Sequence, residues 1–235
     1  PFEDANNNAS PTVGVVDGSP ANIAGIAPRS VVVSVGGQPI TSEADLDSRV
    51  APSPGSYVTV ECYYGGELRT FDEVVDGVVV AFVTDGYAGS EYGLEPGMVL
   101  VELNGTSIGS VDELSTALSY TSAGQDVAIV VMGYDEANDT FGVDPDVTHM
   151  VLSDRYEFYG EYYPDDNDPS YAGKGSIGAG FLALGLYAYD ADYYSNALAH
   201  PFSGDSGFGD FAESWLRLIA LPFLDLAPVR APITD

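Results

Sequence analysis

Lysine is almost missing from this chain. Lys174 is the only one in 235 residues, and together with six arginines it faces 36 acidic residues, for a formal net charge of −29. Phosphate contacts need clusters of Lys and Arg, so nucleic-acid binding is excluded. Electrostatic attachment to anionic lipid is excluded on the same ground. Cysteine is nearly absent as well. Cys62 stands alone, so no internal disulfide can form, and its place in a strand-like run reads as a buried small apolar residue. There are two histidines, His149 and His200, far apart. No stretch reaches the ~18–20 apolar residues of a membrane helix. The nearest is the glycine-rich run GSIGAGFLALGLYAY at 175–189.

What is present argues for a folded protein. Hydrophobic residues make up 45% of the chain, with 16 tyrosines and 10 phenylalanines, so the acidity does not mean disorder. Acid spread along the whole chain with so little lysine reads as adaptation to molar salt. There the Debye length falls to roughly 3 Å and carboxylate repulsion is screened. The chain opens in PFEDANNNASP and stops in APITD, with no initiating methionine and no signal-peptide pattern, and is expected to be a piece of a longer protein.

The strongest internal signal is a repeat. GSPANIAGIAPRSVVVSVGGQPI at 18–40 returns as GYAGSEYGLEPGMVLVELNGTSI at 86–108, 68 residues later and without a gap. The seven identical positions are glycines, one proline and aliphatics, which set backbone shape and core rather than chemistry. The predicted elements also run in parallel. A strand at 12–17 is followed by a helical turn at SPANIAG, a strand at 31–35, a helix capped by Ser42 and running to Val50, and a hairpin around Gly65-Gly66. In the second copy the first strand is VVVAFVT, the helical turn lies near 88–92, and Asn104-Gly105 forms a hairpin-type turn. Ser110 then caps a helix to Tyr120, with Glu113 placed for a capping box. The last two strands pair around an acidic insertion at 135–147. Residues 1–11 and 157–170 read as linkers. In the remainder, DFAESWLRLIAL at 210–221 reads as a wide-faced amphipathic helix ended by Pro222.

At this level the residues resemble a known family. Gly18-Ser19-Pro20-Ala21 with Ala24-Gly25-Ile26, and Gly93-Leu94-x-Pro96-Gly97 with Asn104-Gly105, resemble the circularly permuted PDZ domain of bacterial and archaeal proteases. The fold expected from this resemblance is α+β. Two tandem permuted PDZ domains, small partly open β-barrels with flanking helices, would occupy 12–75 and 76–156, followed by a mixed C-terminal segment at 157–235. The family usually carries Gly-Asp before the second strand. Arg29-Ser30 and Gly97-Met98 stand there instead, so the first turn is expected to be built differently. The x-Φ-Gly-Φ loop that would capture a terminal carboxylate has one candidate, Thr12-Val13-Gly14-Val15, and none in the second copy.

A soluble PDZ tandem within a longer chain is similar to the extracytoplasmic insert of site-2 proteases, which are intramembrane zinc metalloproteases. The stretch 197–223 resembles the passage by which haloarchaeal members return to the membrane. The resemblance implies substrate recognition or gating for regulated intramembrane proteolysis. Partners would be an extended peptide or membrane-protein substrate and the parent's own transmembrane domain. The parent would hold zinc; this segment would hold no cofactor and carry no catalytic residue. The alternative is a non-enzymatic tandem PDZ module of a secreted or anchored halophilic protein.

A PDZ domain binds an extended segment as an added strand, with a helix as the opposite wall. That assigns groove one to Val13, Gly14, Val15, Leu46 and Val50, and groove two to Val80, Phe82, Thr84, Leu114, Ala117 and Leu118. Other motifs are weaker. Zinc in site-2 proteases sits on a His-Glu-x-x-His helix, and this chain has none, which leaves His149 a strand residue and His200 a turn residue. Gly204-Asp205-Ser206-Gly207 copies a serine-protease phrase without the surrounding triad. Asp165-Asp166-Asn167-Asp168 lacks the glycine and glutamate of a calcium loop and reads as a solvated linker. Asn8, Asn104 and Asn138 open glycosylation sequons, relevant only to an exported segment. The 210–221 helix is open to three readings: core of the tail, membrane-interface helix, or substrate gate.

Overall fold

The computed structural model describes residues 10–162 and 167–188. The calls on Asn8, Asp165, Asp166, His200, the 204–207 phrase and the 210–221 helix lie outside them.

One element order runs through the chain twice. The first pass is β1 (Thr12–Val15), α1 (Pro20–Ile23), β2 (Ser30–Val35), β3 (Gln38–Pro39), α2 (Glu43–Asp47), β4 (Tyr57–Tyr64) and β5 (Glu67–Val75). The second is β6 (Val78–Val83), α3 (Ala88–Glu91), β7 (Val99–Leu103), β8 (Thr106–Ser107), α4 (Val111–Ser119), β9 (Asp126–Asp135), β10 (Thr140–Val143) and β11 (His149–Val151). Then come β12 (Ser153–Asp154), α5 (Arg155–Tyr162), a single 3₁₀ turn at Pro169–Tyr171, β13 (Gly175–Ser176), β14 (Ala179–Ala183) and β15 (Leu186–Ala188). The strands form two large open, fully antiparallel sheets, of order β15-β1-β2-β4-β5 and β10-β9-β7-β6-β14, neither closed into a barrel, and a small two-stranded one of β12 and β13.

Local chemistry explains the helices. Pro20 occupies the first turn of α1, where a missing N–H costs nothing, and the Ser19 hydroxyl accepts from Asn22 N–H at 3.2 Å. Ser110 accepts from Glu113 N–H at 3.1 Å, and the Glu113 carboxylate reaches back to Gly109 N–H at 2.7 Å. That is a capping box closed one residue early. Helix α2 ends at Asp47, short of the expected Val50, because Ser48 closes it on the carbonyls of Ala44 and Leu46 and Arg49 turns inward. Residues 157–162, expected to open a linker, continue α5 from Arg155. Phe158 packs edge-to-face on Tyr87 there, and Arg155 is buried over the Tyr171 ring.

The turn before β2 also differs from expectation. Arg29 adopts φ +70°, the counterpart of Gly97 at φ +94°. Arg29 N–H donates to Val13 O at 2.7 Å, as Gly97 N–H does to Val80 O at 2.8 Å. The same left-handed turn is therefore made with a Cβ, against a steric cost of about 1–2 kcal/mol. Arg29→Gly relieves that cost while loosening the unfolded chain. The substitution is expected to stabilise the protein by about 1 kcal/mol, read as a higher urea midpoint at unchanged slope.

Each sheet carries a core. Val13, Val32, Val35, Leu46, Val60 and Cys62 fill the first; Val78, Val80, Leu100, Leu103, Leu114 and Val131 anchor the second. Two smaller clusters make the seam, one of Val75, Val79 and Val99 and one of Val16, Ala81 and Leu182. The connector between β5 and β6 is only Asp76-Gly77, so the sheets are docked directly. Ala51 N–H donates to Gly109 O at 2.7 Å, and Asp76 exchanges backbone bonds with Gly55 and Ser56.

Candidate peptide-binding grooves

Groove one is framed by β1 and α2. Val13 and Val15 on the strand and Leu46 on the helix are buried in one cluster. Val50 stands outside α2 and is 51% exposed, in the stretch that leads to the Ala51–Gly109 bond. Thr12–Val15, the carboxylate-loop candidate, is the strand itself.

Groove two is framed by β6 and α4. Val80, Leu114 and Leu118 share a cluster, and Ala117 packs against it. Phe82 belongs elsewhere, against Val16, Ala81 and Leu182 at the seam. A bulge explains this. β14 pairs Gly180 with Phe82 and Phe181 with Val80, which leaves Ala81 unpaired and shifts the alternation by one residue. Val83 then packs on the cluster that alternation had given to Phe82. Thr84 lies just past the strand, and its N–H donates to Gly178 O at 3.0 Å.

Both grooves contain residues that strand and helix spacing did not point to. β14 lies antiparallel on β6, and Phe181 and Ile177 join Leu114 and Leu118. β15 lies antiparallel on β1, and Leu184 and Leu186 join Val13, Val15 and Leu46. The ring of Tyr187 crosses Gly14, where any Cβ would strike it. The signal was the apolar run 175–189 itself, whose only membrane-like property was its hydropathy. Its glycines and alternating large residues fit a strand squeezed between other elements.

The electrostatics of the frame are acidic. Burial, then Glu43, then Asp112 push the Asp47 carboxyl up to about 6. Folding thus favours its protonated form, so this contribution is complete below about 4 and is lost as pH rises through 6. Stability is expected to increase by about 1 kcal/mol or less from pH 7.5 to 5, since only one unit below 6 is covered and solvent screening reduces the full ~1.36 kcal/mol per unit. Asp47→Asn should flatten that pH dependence in urea titrations. The lowered carboxyls, Asp45 bonded by Thr41 and Asp135 bonded by Asn138, act in the opposite sense and only below about 4.

The remaining reactive groups have structural settings. Burial, reinforced by Glu61, raises Cys62 to about 12, which keeps it an unreactive thiol. Asp168 accepts from Ser170 N–H and caps the 3₁₀ turn. Asn104 takes φ +50° and bonds Ala128 N–H, as the β7–β8 turn requires. His149 stands on β11, edge-on to Tyr92. Among the described residues no three His, Cys, Asp or Glu side chains gather as metal ligands.

Residues 12–63 match the PDZ domain family. Among solved structures the chain is similar to the PDZ domain of an SdrC-like protein from Listeria monocytogenes, with 20% identity and a TM-score of 0.32, over 45% of this chain and 87% of that one. No curated protein matches it. The matched segment contains the β1 edge and the α2 wall described above, and residues 12–63 of this chain are a PDZ domain.

Proposed function

We propose that the chain is a peptide-recognition segment made of two permuted PDZ units, 12–75 and 76–156. It would select or admit extended substrates for a site-2-type intramembrane zinc metalloprotease, from the extracytoplasmic side of the membrane. The observation that carries the peptide-binding part is the strand seated on β1 beside α2 and again on β6 beside α4, which is how an extended peptide is held by strand addition. The 68-residue repeat and the recurring element order support a second unit of the same kind. Zinc would sit in another part of the polypeptide, since the His-Glu-x-x-His motif that holds it in site-2 proteases does not occur in this sequence. Peptide hydrolysis would belong to another part of the polypeptide.

Titration of a labelled, extended apolar peptide at molar salt tests the binding claim. Saturable binding with amide shifts confined to β1, α2, β6 and α4 is expected, and shifts scattered over the surface would remove it. The protease claim is tested on the complete polypeptide. A His-Glu-x-x-His helix and flanking membrane segments support it, whereas soluble sequence on both sides leaves a stand-alone binding module. The acidic composition supports a high-salt habitat. Desalting is expected to lower the thermal midpoint through unscreened repulsion, and an unchanged midpoint would count against that habitat.

A further inference from the structure

We infer that the two groove edges form one composite site for a single extended, internal, uncharged segment, and that residues 177–188 are its resident occupant, displaceable as a unit. The inference rests on the peptide-binding reading above.

The occupant is continuous across both edges. Gly89 N–H donates to Ile177 O and Thr84 N–H to Gly178 O. Ala179–Ala183 then pair with β6, Leu184 N–H donates to Gly77 O, Val16 N–H donates to Gly185 O, and Leu186–Ala188 pair with β1. About ten residues at ~3.3 Å each run in sequence over one groove and then the other. The crossing is made at Leu184 and Gly185, both at positive φ. The stretch seated in both grooves is internal to the chain, so the site takes an internal segment and not a terminal carboxylate.

The anchors are Ile177 and Phe181 in groove two and Leu184 and Leu186 in groove one. The residues between them are mostly Gly and Ala, and the span 175–188 has no charged side chain in a protein of net charge −29. An acidic segment would meet repulsion from Glu43, Asp47 and Asp112 around the helices, so the site discriminates against acidic peptides.

Displacement is geometrically simple. β14 and β15 each hold an outer position in a sheet, and neither pairs with the other. Undocking leaves β1-β2-β4-β5 and β10-β9-β7-β6 hydrogen-bonded as before. Partial opening of an edge element costs less than global unfolding. A tethered occupant also competes at a high effective concentration, so external peptide binds weakly until it leaves.

The test uses the whole chain with Ala179→Cys and Val83→Cys, directly opposed residues that are only partly buried. The probe is a fluorescein-labelled peptide of sequence 176–188. Reduced protein is expected to bind it, and oxidation to the cross-strand disulfide should weaken binding at least tenfold, reversibly. Binding unaffected by oxidation overturns the displaceable occupant and leaves the peptide-binding reading standing. No binding in either state removes both. Hydrogen exchange on the unaltered chain reads the same opening without mutation. Amides of 179–188 are expected to exchange at least tenfold faster than those of β2, β4, β7 and β9, and equal rates would make the segment a permanent strand.

Discussion

Asp76→Ala is expected to cost about 3–5 kcal/mol, the largest effect of any single polar change in this protein. Arg49 and Asp76 are both buried, 9% and 1% exposed, and their side chains meet in a bidentate pair at 2.5 and 2.6 Å. Arg49 follows α2, and Asp76 is half of the connector between the sheets, so the pair ties the groove-one helix to the junction. Removing the carboxylate leaves a buried guanidinium whose Nε already has no hydrogen-bond partner. Replacing both residues with apolar side chains of similar volume should recover most of the loss, since the pair's own Coulombic gain is offset by desolvation. Chemical denaturation of the two variants checks this, and a cost below 1 kcal/mol for Asp76→Ala would show the pair to be incidental.

Gly185→Val is expected to cost about 3 kcal/mol and to release β15 before the rest unfolds. Gly185 sits at φ +75°, which a β-branched residue adopts only with strain. Its Cβ would also strike the Ser19 side chain, the cap of α1. Displacing that cap adds about 1 kcal/mol to the backbone term. Gly185→Ala carries the same Cβ and should already show most of the cost, and an Ala variant within about 0.5 kcal/mol of the unaltered protein would show that the contact with Ser19 yields. Hydrogen exchange across 179–188 should accelerate in Gly185→Val while β4 and β9 keep their protection.

Helix caps, turns and strand alternation were readable because they are short-range. Ser42, Ser110 and Glu113 act within four residues, and Asn104-Gly105 and Gly65-Gly66 demand their turn geometry locally. The repeat supplied the order of elements. What could not be read depends on distant partners. The Ala81 bulge that turns Phe82 to the seam is set by β14, a strand 100 residues away. The left-handed Arg29 keeps its turn through a bond to Val13 O that residue type alone does not announce. Hydropathy made 175–189 a near-membrane run. Its role as a strand follows only once two open edges exist for it to cover.

The pairing of β15 with β1 joins the last described strand to the first. A chain emerging from the ribosome makes β1 early and β15 only after both sheets have been synthesised. In that interval each sheet has an uncovered edge, the kind of surface on which neighbouring chains pair. The mature arrangement hides those edges, but the nascent one cannot. A dense negative charge guards it meanwhile, because two half-made copies repel each other before their edges can meet.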